Sequence, residues 1–193
     1  MHRIEKKRPR AQQTAAFGLL VTAMLAACKA EYKSDTAVSA LAAVSACGES
    51  GALRAALFGG IEADIQWTAS DMECDSMQRP DGAGLRLRFA GEVSGEVLAI
   101  IIAMPALQAD EVGVEIPSNV TATVEGSGRF FSTPNLDACW TEIATQARLA
   151  GHADARAIAG TLYCTSPLGE INGDAAITIP TLEFSTIANW RPK

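Results

Sequence analysis

The stretch Leu85-Arg86-Leu87-Arg88-Phe89, "LRLRF", alternates apolar and charged residues with a period of two. Successive side chains on an extended chain point to opposite faces, so the apolar three share one face and the arginines the other. The same period recurs on both sides of it. Ile61, Ala63, Ile65 and Trp67 alternate with Glu62, Asp64 and Gln66; Val120, Ala122 and Val124 alternate with Thr121, Thr123 and Glu125. Each reads as a half-buried strand. The run "VLAIIIAM" at 97–104 is apolar on both faces, rich in isoleucine and stopped by Pro105. It is expected to be the most buried strand.

Turn signals punctuate these strands: "FGG" (58–60), "RPDGAG" (79–84), "EGSGR" (125–129), "AGHADA" (150–155) and "INGD" (171–174). Asp81-Gly82 and Asn172-Gly173 are strong turn pairs. Such spacing predicts an all-β chain, an antiparallel β-sandwich or a jelly-roll-like barrel. The segment "DACWTEIATQAR" (137–148) allows a helix capped by Asp137, but a strand is preferred, with "GHADA" as the hairpin loop leading into "AIAGTLYC". The last stretch, 174–190, alternates and is expected to bend at Pro180. Phe130 and Phe131 are adjacent and must face opposite ways on a strand.

The chain opens with a basic segment, Arg3, Lys6, Lys7, Arg8 and Arg10 against Glu5, followed by apolar and small residues from Ala15 to Ala27. This is the pattern of an export signal helix. It is too short for an ordinary transmembrane helix, which needs about 20 apolar residues. It ends Leu25-Ala26-Ala27-Cys28, which resembles the lipobox of bacterial lipoprotein precursors. That resemblance covers residues 1–28 alone. It implies diacylglyceryl attachment to the Cys28 thiol, cleavage before Cys28 and acylation of the new amino terminus by a chain such as palmitate. Two or more acyl chains anchor stably where one does not. Lys29 stands where an Asp tends to retain such proteins at the inner membrane, so the resemblance implies the outer membrane, facing the periplasm, in a Gram-negative host.

Three segments follow: a signal peptide over 1–27, a lipidated terminus with a flexible tether over 28–46, and a single β domain over 47–193. Removing the leader leaves 11 basic and 21 acidic residues, a net charge of −10. Nucleic acid is therefore not an expected partner, since phosphate binding needs clustered Lys and Arg.

With Cys28 assigned to lipid, Cys47, Cys74, Cys139 and Cys164 remain, and four thiols in an exported domain read as two disulfides. Cys47–Cys74 and Cys139–Cys164 are preferred among three pairings because each joins neighbouring segments. The absence of Cys-x-x-Cys spacing disfavours zinc and dithiol redox chemistry.

Catalytic signatures are sparse. His152 is the one histidine beyond the leader, and no Gly-x-Ser-x-Gly elbow accompanies it. Gly126-Ser127-Gly128-Arg129 precedes a strand rather than a helix, so it reads as a hairpin turn. Asp71, Glu73 and Asp75 fall at i, i+2 and i+4 and would share a strand face, the nearest approach to a calcium set; no metal and no cofactor are expected. Trp67, Trp140 and Trp190 read as core, with a sugar-stacking face as the alternative.

The expectation is a lipid-anchored, non-enzymatic binding or structural module with an envelope partner. A carrier of a small apolar ligand and a carboxylate-dependent hydrolase are the alternatives. Intact mass spectrometry on protein from native membranes is expected to show loss of residues 1–27, acyl mass on Cys28, and four thiols that appear only after reduction. An unacylated mass would remove the anchor.

Overall fold

A computed structural model describes residues 45–79 and 83–190. The signal peptide, Cys28, most of the 28–46 tether and the Asp81-Gly82 turn lie outside the described residues. The fold is all-β and antiparallel. Its strands are β1 (Ala52–Gly59), β2 (Ala63–Thr68), β3 (Met72–Gln78), β4 (Leu85–Val93), β5 (Glu96–Met104), β6 (Glu115–Val124), β7 (Arg129–Ser132), β8 (Cys139–Leu149), β9 (His152–Cys164), β10 (Leu168–Glu170), β11 (Ala176–Thr178) and β12 (Thr181–Asn189). Among the described residues no helix is long and apolar enough to cross a membrane.

The strands form one continuous sheet that folds back on itself. Its order is β3-β4-β5-β6-β7-β10-β11-β1-β12-β9-β8, and β8 then pairs with β6. Eight strands, β6 to β8 by way of β1, thus make a closed circuit, while β5-β4-β3 extend from β6 and β2 pairs with the other side of β1. Two strands serve both layers. β6 pairs with β8 through residues 115–118 and with β5 through 119–124. β1 pairs with β12 through 52–55 and with β11 through 58–59. Pro180 lies in the gap between β11 and β12, where the chain bends from one layer into the other.

The β3-β4-β5 extension packs on β12 and β2. Phe89 of β4 meets Phe184 of β12 with ring centroids 5.9 Å apart. Gly91 of β4 lies against Trp67 of β2, and a Cβ there would stand 2.6 Å from the indole. Between the layers Leu53, Ile65, Leu87, Ile100, Phe131 and Leu182 are buried. The β4–β5 hairpin closes on Ser94 and Gly95, both at positive φ, the conformation of a two-residue turn whose twist matches the strands.

The two disulfides join cysteines 27 and 25 residues apart in the chain. Cys47–Cys74 ties the segment before β1 to β3, with Cα atoms 5.0 Å apart. Cys139–Cys164 joins directly opposed residues of β8 and β9, with Cα atoms 4.0 Å apart. Both belong to an oxidising, exported environment. Ser45 and Ala46, the last residues of the tether range, are held by the fold: the Ala46 carbonyl accepts from Ile187 N and Thr186 Oγ1.

Two sequence readings need correction here. β5 is fully buried on one face only. Leu98, Ile100, Ile102 and Met104 face inward; on the other side only Ala99 is buried, while Val97 is 42% exposed and Ile101 and Ala103 are half-buried. The β8–β9 loop is shorter than "GHADA": Ala150 and Gly151 make the turn, and His152 to Ala155 already belong to β9. The strand preferred over 137–148 is β8, and only one 3-10 turn, Leu136–Ala138, capped by the Asn135 side chain, precedes it.

Gly91→Ala should lower stability by about 1–3 kcal/mol, since the buried indole of Trp67 cannot step aside. Chemical denaturation followed by tryptophan emission checks this; an unchanged midpoint would mean that β2 and β4 are not in contact there.

Candidate functional site

The structure separates Asp71, Glu73 and Asp75. Asp71 is in the turn after β2, where its carboxylate accepts from Thr68 N at 2.9 Å and Thr68 Oγ1 at 2.6 Å. Those bonds hold its carboxyl below the usual carboxylate range. Glu73 and Asp75 do share the outer face of β3, but they face Arg88 at 3.9 Å and Arg86 at 3.8 Å. Among the described residues no three His, Cys, Asp or Glu side chains are placed to hold a metal ion. His152 opens β9 opposite Leu149, and among the described residues no hydrogen bond joins it to a serine or a carboxylate. Gly126-Ser127-Gly128 turns β6 into β7, with Ser127 Oγ donating to Val124 O and accepting from Arg129 N.

Two ion-pair clusters close opposite ends of the strand circuit. At one end the loop 105–114 folds over β8 and β9. Asp110 there, at φ +66, accepts from Arg156 Nε at 2.8 Å and from Arg148 Nη2 at 2.6 Å. The two guanidinium groups, Arg156 first, hold the Asp110 carboxyl far below the usual range. Gln146 Nε2 fastens the same loop by donating to the carbonyls of Gln108 and Glu111. At the other end Arg129 Nε donates to Glu170 at 2.7 Å, Arg129 Nη1 donates to Gly60 O at 3.2 Å, and the guanidinium lies 5.0 Å from the Phe131 ring centroid. These contacts brace the two ends of the strand circuit.

A different character marks the outer face of β6, β8, β9 and β12. Inward positions on β8 are Cys139, Thr141 and Ile143, so Trp140 and Glu142 point out. Pairing sets Trp140 opposite Tyr163, with Pro117 and Thr181 beyond them on either side. Neither ring of the Trp140–Tyr163 pair is fully buried, whereas Trp67 and Trp190 belong to the core. One row along, Glu115, Glu142, Thr161 and Glu183 stand side by side on β6, β8, β9 and β12. The nearby Glu115 carboxylate, then partial burial, then the charge of Glu142, push the Tyr163 phenol above its ordinary range. Among the described residues Glu142 and Glu183 have no basic side chain within ion-pair reach.

This face offers two aromatic rings beside acceptor-only carboxylates on a rigid sheet. It can stack a flat or cationic group and accept hydrogen bonds. The sequence named Trp140 but neither Tyr163 nor the glutamates. Their alternation in "CWTEI" and "TLYC" was visible; their neighbourhood depends on the β6–β8–β9–β12 pairing, which is non-local.

Ultraviolet titration should find Tyr163 ionising above the ordinary tyrosine value of about 10, with Tyr163→Phe assigning the signal, and Glu115→Gln should bring its midpoint back down. An unmoved midpoint in Glu115→Gln would break the Tyr163–Glu115 link. In comparisons with known proteins, the chain matches no protein-family model, no curated protein and no solved structure.

Proposed function

We propose that this chain is a lipid-anchored, exported binding module of a bacterial envelope, working without catalysis and held by acyl chains on Cys28. In a Gram-negative host it sits at the outer membrane and faces the periplasm. The observation that carries the binding part of this reading is the Trp140–Tyr163 pair beside unpaired glutamates on an otherwise braced fold. Half-buried Trp and Tyr side chains flanked by polar groups are enriched in recognition surfaces.

The alternatives have less behind them. A carrier needs room inside, and the space between the layers is occupied by large side chains such as Phe89, Phe131 and Phe184. A glycosidase-type acid needs a desolvated carboxyl in a cleft. Glu115 and Glu142 oppose each other, but on an open, exposed sheet face.

Site-specific photo-crosslinking in intact cells tests the reading. A photoreactive residue at Thr161, inside the face, is expected to trap a discrete partner. The same residue at Thr121, on the outer face of β6 in the other layer, should give only a background ladder. Identical ladders from both positions would overturn the assignment.

A further inference from the structure

We infer that the occupant of this face is a basic, extended polypeptide segment, whose Lys or Arg side chains meet Glu115, Glu142 and Glu183 while one cation lies over Trp140 or Tyr163. The inference rests on the binding-module reading and adds the chemistry of the partner.

The first support is a contrast between the two outer faces. On the β3-β4-β5-β6 side three carboxylates are answered within the chain, Asp75 by Arg86 and Glu73 and Glu125 by Arg88, while Glu92 at the end of the ladder has no ion pair among the described residues. Arg129, Arg148 and Arg156 are engaged at the ends of the circuit. On the β6-β8-β9-β12 side Glu115, Glu142 and Glu183, side by side in the register with Thr161, have no ion-pair partner among the described residues. Arg54 of β1 is opposite Glu183 in the register and does not form an ion pair with it.

The second support is the register itself. Glu115 and Glu142 are directly opposed on β6 and β8. Like charges in that position oppose strand pairing, so folding alone does not favour them. A cation placed between the two would turn the repulsion into attraction. The third is the adjacent aromatic pair, since a cation over Trp or Tyr gains from the ring's negative face. Ammonium and guanidinium groups carry donors only, and carboxylates accept only, so the hydrogen-bonding sense also matches.

The field of the whole domain works in the same direction. Residues 45–190 hold 19 acidic side chains against seven arginines, with no lysine. A net negative surface speeds the approach of a basic segment, and the effect falls with salt. A neutral glycan would use the rings but would gain nothing from the unpaired charges.

Hexalysine, titrated into the full mature protein and followed by tryptophan emission, tests the inference. Glu142→Gln with Glu183→Gln should weaken binding by at least ~10-fold, which corresponds to ~1.4 kcal/mol. Glu73→Gln with Asp75→Gln removes the same charge from the other face and should change it less than twofold. Trp140→Phe should remove most of the emission change. Thermal melting controls for folding, and Glu142→Gln should not lower the melting temperature because it relieves a like-charge contact; if the double variant is less stable, Glu183→Gln alone provides the comparison.

Equal weakening by both pairs of substitutions would reduce the effect to general acidity and overturn the inference. So would absence of hexalysine binding, or binding of an N-acetylglucosamine oligomer at Trp140 in its place. If the Thr161 crosslink survives any of these results, the binding face stands and only its basic partner falls. Loss of both would remove the underlying reading as well.

Discussion

The short pairing of β6 with β8, over residues 115–118, is what the rest of the structure depends on. Without it the sheet would be open, with β8 as a free edge. With it, eight strands close into a circuit and no edge remains between them. The contact is built for its place. Ser118 is fully buried there, donating to Ile116 O at 2.9 Å and receiving Thr141 Oγ1 at 2.8 Å, so neither hydroxyl is left unsatisfied. Pro117 falls where β6 has a single neighbour, one of the few strand positions that tolerate a missing N–H.

That closure also makes the candidate site. Glu115 and Glu142 are neighbours only because β6 and β8 pair, and Trp140 and Tyr163 only because β8 and β9 pair. The Cys139–Cys164 disulfide sits one residue from each ring and fixes the register between them. A crosslink that restricts the unfolded chain also holds this pair of strands at one alignment. The Trp140–Tyr163 face is therefore set by the same bonds that hold the core, and it lies on sheet rather than on loops.

The distribution of charge follows a division of labour. Arg86 and Arg88 pair with carboxylates on one outer face; Arg129, Arg148 and Arg156 brace the two ends of the circuit. Surface ion pairs of this kind contribute little stability individually. Their consequence is geometric: they tie the 105–114 loop to β8 and β9, and the β1–β2 turn to β7. The arginines so engaged leave the β6-β8-β9-β12 face with an uncompensated negative row.

Period-two alternation and frequent turn residues were enough to read an all-β antiparallel domain with strands around Ile65, Phe89, Ile100 and Val120. That signal is local, and each strand carries it independently of its partners. The opposite orientation of Phe130, 44% exposed, and Phe131, fully buried, was legible for the same reason. The spacing of Asp71, Glu73 and Asp75 misled because it assumed one continuous strand; Thr68 takes Asp71 into a turn instead. Exposure of the outer side of β5 could not be read from its isoleucines, because a sequence shows what a face is made of and not what covers it. Sandwich versus barrel, and the gathering of Glu115, Trp140, Glu142, Tyr163 and Glu183, were decided only by tertiary pairing between strands far apart in the chain. The sequence by itself determined which residues share a face of each strand, since that follows from backbone geometry one residue at a time; which faces meet is a property of the closed sheet.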